Sequence, residues 1–164
     1  MNRRDKTNYY LDIAEAVSER STCLRRKFGA VVVKNDEIIS TGYNGAPRGR
    51  KNCIDLDFCY REKLGVPRGQ RYELCRSVHA EANAIISASR ADLLDATLYL
   101  ACHDAATDQL DGAVEPCSMC KRLILNAGIR HVVIRSDADS HFTIDTAIWI
   151  ESDDSLAEEL HGGY

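Results

Sequence analysis

Two short runs carry residues able to do metal chemistry, His79-Ala80-Glu81 and Pro116-Cys117-Ser118-Met119-Cys120. Each falls where the surrounding pattern predicts the start of a helix. Cys117 and Cys120 are three apart, so on a helix their sulfurs share one face and can hold one ion. A helix N-terminus also favours the thiolate, through its unpaired N–H groups and the positive end of the dipole. His79 offers a ring nitrogen as third ligand. Three protein ligands leave a fourth tetrahedral position for water, the arrangement of a catalytic zinc rather than a structural one. Two thiolates cancel the charge of the ion, so its water is less acidified than at an all-histidine site. A nearby base becomes necessary, and Glu81 fits that role. On a regular helix, residues two apart diverge. His79 and Glu81 can serve one water only if the ion lies off the helix end, near the first turn.

Neither run is decisive alone. A lone C-x-x-C serves redox chemistry or structural zinc as readily, and a lone H-x-E on an alanine-rich helix ordinarily means nothing. Together, in this order and separated by one expected strand, they form the signature of the zinc nucleobase deaminases.

The elements that must position these residues can be read from periodicity and turn chemistry. Thr7 to Arg20 has apolar residues at helical spacing (Tyr10, Leu11, Ile13, Ala14, Val17) and predicts an opening helix. Phe28–Lys34 and Glu37–Ser40 are β-branched runs around Asn35-Asp36, a hairpin pattern. Gly42 to Arg76 is polar and glycine-rich, with two prolines and three cysteines. That is long for a structureless loop, so something should hold it. Ser77–Ser89 predicts a helix and Ala96–Ala101 a strand. Pro116 is expected at the first position of a helix that runs to Asn126 and ends at Ala127-Gly128. Ile129–Arg135 predicts a buried strand, Phe142–Ile148 a last strand, and the acidic tail from Glu151 a helical or frayed end. Strands alternating with helices imply an α/β sandwich. One domain over 1–164, with an insertion at about 42–76, accounts for the whole chain.

The 164 residues can bury roughly two thirds of their unfolded surface. Apolar residues at 45% and charged ones at 28% predict a soluble globular protein. A net charge of -4 argues against general nucleic-acid binding, which needs a basic face. It leaves room for a small anionic ligand in a local basic pocket. No apolar run is long enough to span a bilayer, and the first residues lack the apolar core of a signal peptide, so a cytoplasmic location without membrane partners is expected. In that compartment seven cysteines point to metal, catalysis or burial before disulfides.

From Ser21 to about Arg135 the chain resembles the deoxycytidylate deaminase branch of the cytidine deaminase superfamily. The resemblance is carried by Ser21-Thr22-Cys23-Leu24-Arg25, Gly29-Ala30-Val31-Val32-Val33, Ser40-Thr41-Gly42-Tyr43-Asn44-Gly45, His79-Ala80-Glu81-Ala82-Asn83-Ala84-Ile85 and the Pro116–Cys120 run. It implies a mixed five-stranded sheet between helices (a three-layer α/β/α sandwich), one catalytic zinc per site and a homo-oligomer, usually a hexamer. It further implies hydrolysis of dCMP to dUMP and ammonia, with His79, Cys117 and Cys120 holding zinc and Glu81 shuttling protons. Backbone groups of Ala80 and Glu115 match positions that hold the pyrimidine, Asn44 one that reaches the sugar. Arg25, helped by Ser21 and Arg3, matches positions expected to bind the 5′-phosphate. Read from the residues alone, such arginines are as readily solvated surface groups, Arg26 is an equal candidate, and Asn44 could be present only to tolerate positive φ. Control by deoxynucleoside triphosphates occurs in this branch. His103, His131, His141 and His161 have no ligand-like spacing, and Cys102 reads as a small buried residue.

Some members of that branch carry an additional zinc at a comparable insertion, with ligands near the positions of Cys23 and Cys53. Cys59 and Cys75 then complete a proposed four-cysteine structural site, which would tie a poorly apolar segment to the core. The alternative is four separate thiols. Cys75 precedes His79 by one helical turn, so the insertion is also expected to brace the catalytic helix. Three rival functions share parts of the pattern. A tRNA adenosine deaminase has the same zinc motif, a nucleoside or free-base deaminase lacks the phosphate contact, and a zinc-binding accessory protein needs no Glu81.

Overall fold

The structure, a computed structural model, describes residues 2–152. Helix α1 (Lys6–Ser18) opens on Asp5, whose side chain accepts from the Asn8 N–H at 2.9 Å. Strands β1 (Arg26–Lys34) and β2 (Glu37–Tyr43) form the expected hairpin, and both Asn35 and Asp36 take positive φ, as its tight turn requires. Both strands run further than apolar patterning indicates, because pairing carries β1 back to Arg26 and β2 on through Gly42. The insertion is not structureless. It contains α2 (Cys53–Leu56), α3 (Tyr60–Lys63) and a 3₁₀ turn at Tyr72–Leu74. Helix α4 (Ala80–Ile86) is followed by α5 (Arg90–Leu93), β3 (Thr97–Asp104), α6 (Ser118–Ala127), β4 (His131–Arg135), β5 (His141–Asp145) and α7 (Ala147–Glu151). Residues 153–164, which include His161 and most of the acidic tail, lie outside the described residues.

Three expectations need correction. The helix expected over Ser77–Ser89 starts only at Ala80, because Val78 is drawn into an extended bridge with Gly45 (N–H to carbonyl 2.8 and 3.2 Å). Cys75 is therefore not one turn below His79 on the same helix. Pro116 does not occupy the first helical position, because Cys117 is the extended N-cap of α6. The last strand stops at Asp145. There the Asp145 carboxylate accepts from the Ala147 N–H, and Thr146 donates to the Ile129 carbonyl, so the chain turns into α7 instead.

The five strands lie in the order β2-β1-β3-β4-β5. Only β3 and β4 are parallel, as the crossover through α6 dictates, and the other pairs are antiparallel. Alternation along the strands sends Ala30, Val32, Leu98, Leu100 and Ile134 toward α4 and α6. Val31, Val33, Tyr99 and Ala101 face α1 on the other side. The result is the expected α/β/α sandwich. On the α1 side the buried Arg135 ties β4 to the helix. Its Nη1 donates to Asn8 Oδ1 at 2.5 Å, Asp12 is a second partner, and its Nε stands 2.7 Å from Glu15 although its N–H points off that line. No helix among the described residues is long and apolar enough to cross a membrane.

Close backbone contact fixes α4 against β2. A Cβ at Gly42 would stand 2.3 Å from the Ala80 carbonyl oxygen and 2.4 Å from the Ala84 nitrogen. The Asn83 amide donates to the Tyr43 carbonyl at 2.8 Å, and the Ser40 hydroxyl to the Ala84 carbonyl at 2.7 Å. Because both obstacles to a Cβ are backbone, Gly42→Ala should cost about 1–3 kcal/mol, as overpacked cores do, and should displace the start of α4. Urea denaturation should show the loss. An unchanged midpoint would mean that α4 can back away freely.

Candidate active site

The connections β2–insertion–α4 and β3–α6 bring two helix starts together. His79 is the N-cap of α4 (φ -71°, ψ 157°) and Cys117 the N-cap of α6, with Cys120 in the first turn of α6. The extended backbone at His79 releases its ring from helical geometry, so it and Glu81 can face the same space. His79 Nδ1 stands 3.4 Å from Cys117 Sγ and 3.4 Å from Cys120 Sγ. Zinc–nitrogen bonds of about 2.0–2.1 Å and zinc–sulfur bonds of about 2.3 Å at a tetrahedral angle put nitrogen and sulfur about 3.6 Å apart. The three donors therefore fit a zinc ion as they stand. They form the only group of three or more histidine, cysteine or acidic ligand atoms within 4.8 Å of one another among the described residues.

Charge and burial couple the three donors and Glu81. Hydrogen bonding with Cys120 lowers the Cys117 thiol, with His79 assisting, and the same bond and burial raise Cys120. Burial opposes the charge on His79, but hydrogen bonds to Cys117 and Cys75 and the Glu81 charge raise it. A divalent cation at this point must displace protons from the trio. Glu81 is 3% exposed, and burial raises its carboxyl well before other groups act on it. A buried carboxyl beside the three donors is suited to take and return a proton.

His79 and Cys117 open onto a cavity of about 290 Å³, with Cys120 buried behind them. Arg25, Asn44, Ala80, Glu81 and Glu115 line it, as expected from the sequence, and so does Arg26. Ser21 is not among the lining residues. Its hydroxyl donates to Asn44 Oδ1 at 2.6 Å, and that oxygen also accepts from the Phe28 N–H at 2.8 Å. Asn44 Nδ2 donates to the Arg26 carbonyl at 2.9 Å, so this side chain clamps the start of β1 to the end of β2. Arg3 also lies outside the lining set, within charge range of Asp36 by the hairpin turn. Ala80 is the first residue of α4, where helix geometry leaves the N–H without an intrahelical partner. The Glu115 carboxylate faces Lys121 Nζ at 3.6 Å.

The insertion contributes wall residues that its sequence did not single out. Arg61, Arg68 and Tyr72 line the cavity, as do Cys23, Cys59 and Cys75. The Tyr72 ring meets the His79 ring edge-on (centroids 5.5 Å apart, 89°). Burial raises the Cys75 thiol, but hydrogen bonds to His79 and the Ser77 backbone, with the charges of His79 and Arg61, together leave it lowered. The insertion thus braces the imidazole through Tyr72 and Cys75, not through a shared helix. Cys53 is buried, which raises its thiol, and Cys23, Cys75 and Cys59 add to the rise. Cys102 is fully buried on β3, and burial pushes its thiol up to about 12, consistent with a packing residue. His103 faces Glu15 at 3.5 Å, and His131 and His141 lie on β4 and β5 outside the cavity lining.

The donor set has a spectroscopic test. Protein loaded with cobalt(II) in place of zinc should show sulfur-to-metal charge transfer from two thiolates, and Cys120→Ser should weaken that absorption and the affinity for the ion. An unchanged spectrum in Cys120→Ser would remove this cysteine from the site.

Comparison with known proteins agrees with this geometry. The sequence model of the cytidine and deoxycytidylate deaminase zinc-binding region matches residues 4–136. A deoxycytidylate deaminase of Mycobacterium phage D29 is 43% identical over 138 residues, 81% of this chain and 96% of its own. One from Schizosaccharomyces pombe is 32% identical over 136 residues, 82% of this chain but 38% of the yeast protein, so the chain spans well under half of that relative. The structure resembles a dCMP deaminase of the cyanophage S-TIM5 in complex with dCMP and dUMP (TM-score 0.55, 25% identity, 84% of this chain and 90% of the other). The chain belongs to the zinc-binding cytidine and deoxycytidylate deaminase family.

Proposed function

We propose that this protein hydrolyses dCMP to dUMP and ammonia. The observation that carries the proposal is the grouping of one imidazole and two thiols beside a buried carboxyl, at a cavity lined by arginines. His79, Cys117 and Cys120 would hold zinc, which supplies a polarised water when bound. Glu81 accepts a proton as the water oxygen adds to C4 of the ring, and delivers it to N3. It then carries the remaining hydroxyl proton to the amine, the C4–N bond breaks, and ammonia leaves with C4 now a carbonyl. In this reading the Ala80 N–H and the Glu115 backbone hold the pyrimidine, both residues lining the cavity. Asn44 has one amide hydrogen left for the sugar, and Ser21 supports it from behind. Arg25 and its neighbours supply positive charge for the 5′-phosphate.

A nucleoside substrate is the second reading. It is favoured by the pairs Arg25–Glu62 (2.9 Å) and Arg26–Asp111 (2.8 Å), which already neutralise two of the wall cations. Ammonia release from cytosine nucleosides and their mono-, di- and triphosphates decides between them, with dCTP and dTTP added as effectors. dCMP should be the best substrate, and equal efficiency on deoxycytidine would support the nucleoside. Glu81→Gln should keep its zinc yet lose roughly two to four orders of magnitude in rate. Near-normal turnover in zinc-loaded Glu81→Gln would contradict the mechanism.

The same reading includes a structural zinc at Cys23, Cys53, Cys59 and Cys75. What supports it is that Cys23, Cys59 and Cys75 line one cavity and all act on the charge of the buried Cys53, although no three of the four sulfurs lie within 4.8 Å of one another. Their sulfurs would have to close to about 3.8 Å, as zinc–sulfur bonds of about 2.3 Å require. Two zinc ions per chain are then expected, with Cys59→Ser losing one and becoming easier to proteolyse within 53–76. One zinc per chain and an unchanged Cys59→Ser would leave four separate thiols. A homo-oligomer is also part of the proposal, supported by exposed Ile86, Leu123, Ile148 and Ile150 on α4, α6 and α7. All seven cysteines are unpaired, which fits the reducing cytoplasm.

A further inference from the structure

Four arginines line the cavity: Arg25, Arg26, Arg61 and Arg68. Three of them face a carboxylate. Arg25 Nε stands 2.9 Å from Glu62, Arg26 Nη2 2.8 Å from Asp111, and Arg68 Nη2 3.8 Å from the same Asp111. Arg61 is only 5% exposed and has no carboxylate within ion-pair distance among the described residues, Glu73, which pairs with Arg71, feeling its charge only at longer range. Its Nη2 donates to the carbonyls of Pro67 (3.4 Å) and Gln70, and its guanidinium lies 4.3 Å from the centre of the Tyr72 ring. Its Nε–H is buried with no acceptor.

Carbonyl dipoles and an aromatic face steady a guanidinium but do not supply a counter-charge. A buried cation with an idle donor is unfavourable unless an anion completes it. We infer that Arg61 is the group that binds the phosphate of the substrate and thereby selects nucleotide over nucleoside. This rests on the dCMP reading above and adds the residue that reads the phosphate. The Tyr72 stack fixes the plane of the guanidinium, and the contact of Tyr72 with His79 sets the distance from phosphate site to metal ligand. Arg61 and Glu62 are adjacent on α3. The insertion therefore offsets part of the Arg25 charge through Glu62 and adds Arg61 to the same cavity wall as the cation that no carboxylate among the described residues pairs.

Steady-state kinetics on dCMP and deoxycytidine test the inference, with zinc content and thermal midpoint measured for each variant. Arg61→Met should raise KM for dCMP and reduce the dCMP-to-deoxycytidine efficiency ratio at least about tenfold, the effect of losing one charge-assisted hydrogen bond. Arg61→Lys should recover part of the ratio. If Arg61 only braces the insertion, both substrates will suffer equally, the ratio will hold, and the inference fails. Should Arg61→Met not fold, the wild-type protein answers alone through the NMR signal of the Arg61 Nε–H. That signal should shift on adding dUMP or inorganic phosphate and stay still with deoxyuridine. A signal that ignores dUMP, or moves equally with deoxyuridine, overturns the assignment. Wild-type protein without preference for dCMP would instead defeat the nucleotide reading itself, whatever Arg61 does.

Discussion

The starts of α4 and α6 approach closely enough that one imidazole nitrogen lies 3.4 Å from two thiol sulfurs, and the chemistry of the protein depends on that approach. Neither helix could deliver it alone. His79 must be extended to turn its ring across the gap, and the Val78–Gly45 bridge holds the preceding backbone in that form. Gly42 then lets α4 rest directly on β2, with Asn83 and Ser40 fastening it. On the other side, α6 is fixed by the parallel crossover between β3 and β4. The three donors sit on two separately anchored elements, so the packing of α4 against α6 sets their spacing.

Burial gives the same cavity its electrostatic character. Glu81 lies out of water between the thiols and His79, so its proton affinity is raised and responds to small changes in the charge beside it. The wall above is basic, yet most of that charge is already spoken for by Glu62 and Asp111. A protein of net charge -4 can therefore present a selective anion site without a basic surface. The insertion controls this balance, because it contributes both Glu62 and the unpaired Arg61, and it touches His79 through Tyr72.

Legibility from sequence followed the range of the interaction. The metal donors and Glu81 were readable because their spacing is local and each sits at a recognisable helix start. The hairpin was readable because Asn35-Asp36 tolerates the left-handed backbone that its turn needs. Gly42, Asn44 and Asn83 stood out as parts of a familiar pattern. Their physical work, docking α4 and clamping β1 to β2, appears only once distant backbone is in place. Where tertiary pairing overrode local preference, sequence reading failed. Val78 left a helical pattern for an extended bridge, and Asp145 and Thr146 turned an apolar run from strand into helix. The insertion was least legible. It has no periodicity, and nothing in the order of residues reveals which arginine finds a carboxylate and which does not.

In the proposed mechanism one imidazole and two thiolates hold a zinc ion whose remaining position belongs to the reaction, with Glu81 close by but not coordinating. A crystal structure of the protein with dUMP, recorded at the zinc absorption edge, tests it most directly. The account predicts an anomalous peak bonded to His79 Nδ1, Cys117 Sγ and Cys120 Sγ, the pyrimidine C4 oxygen facing it, and the Glu81 carboxyl beside the ring. A fourth protein ligand on that ion, Glu81 included, or a dUMP base bound away from it, would contradict the account.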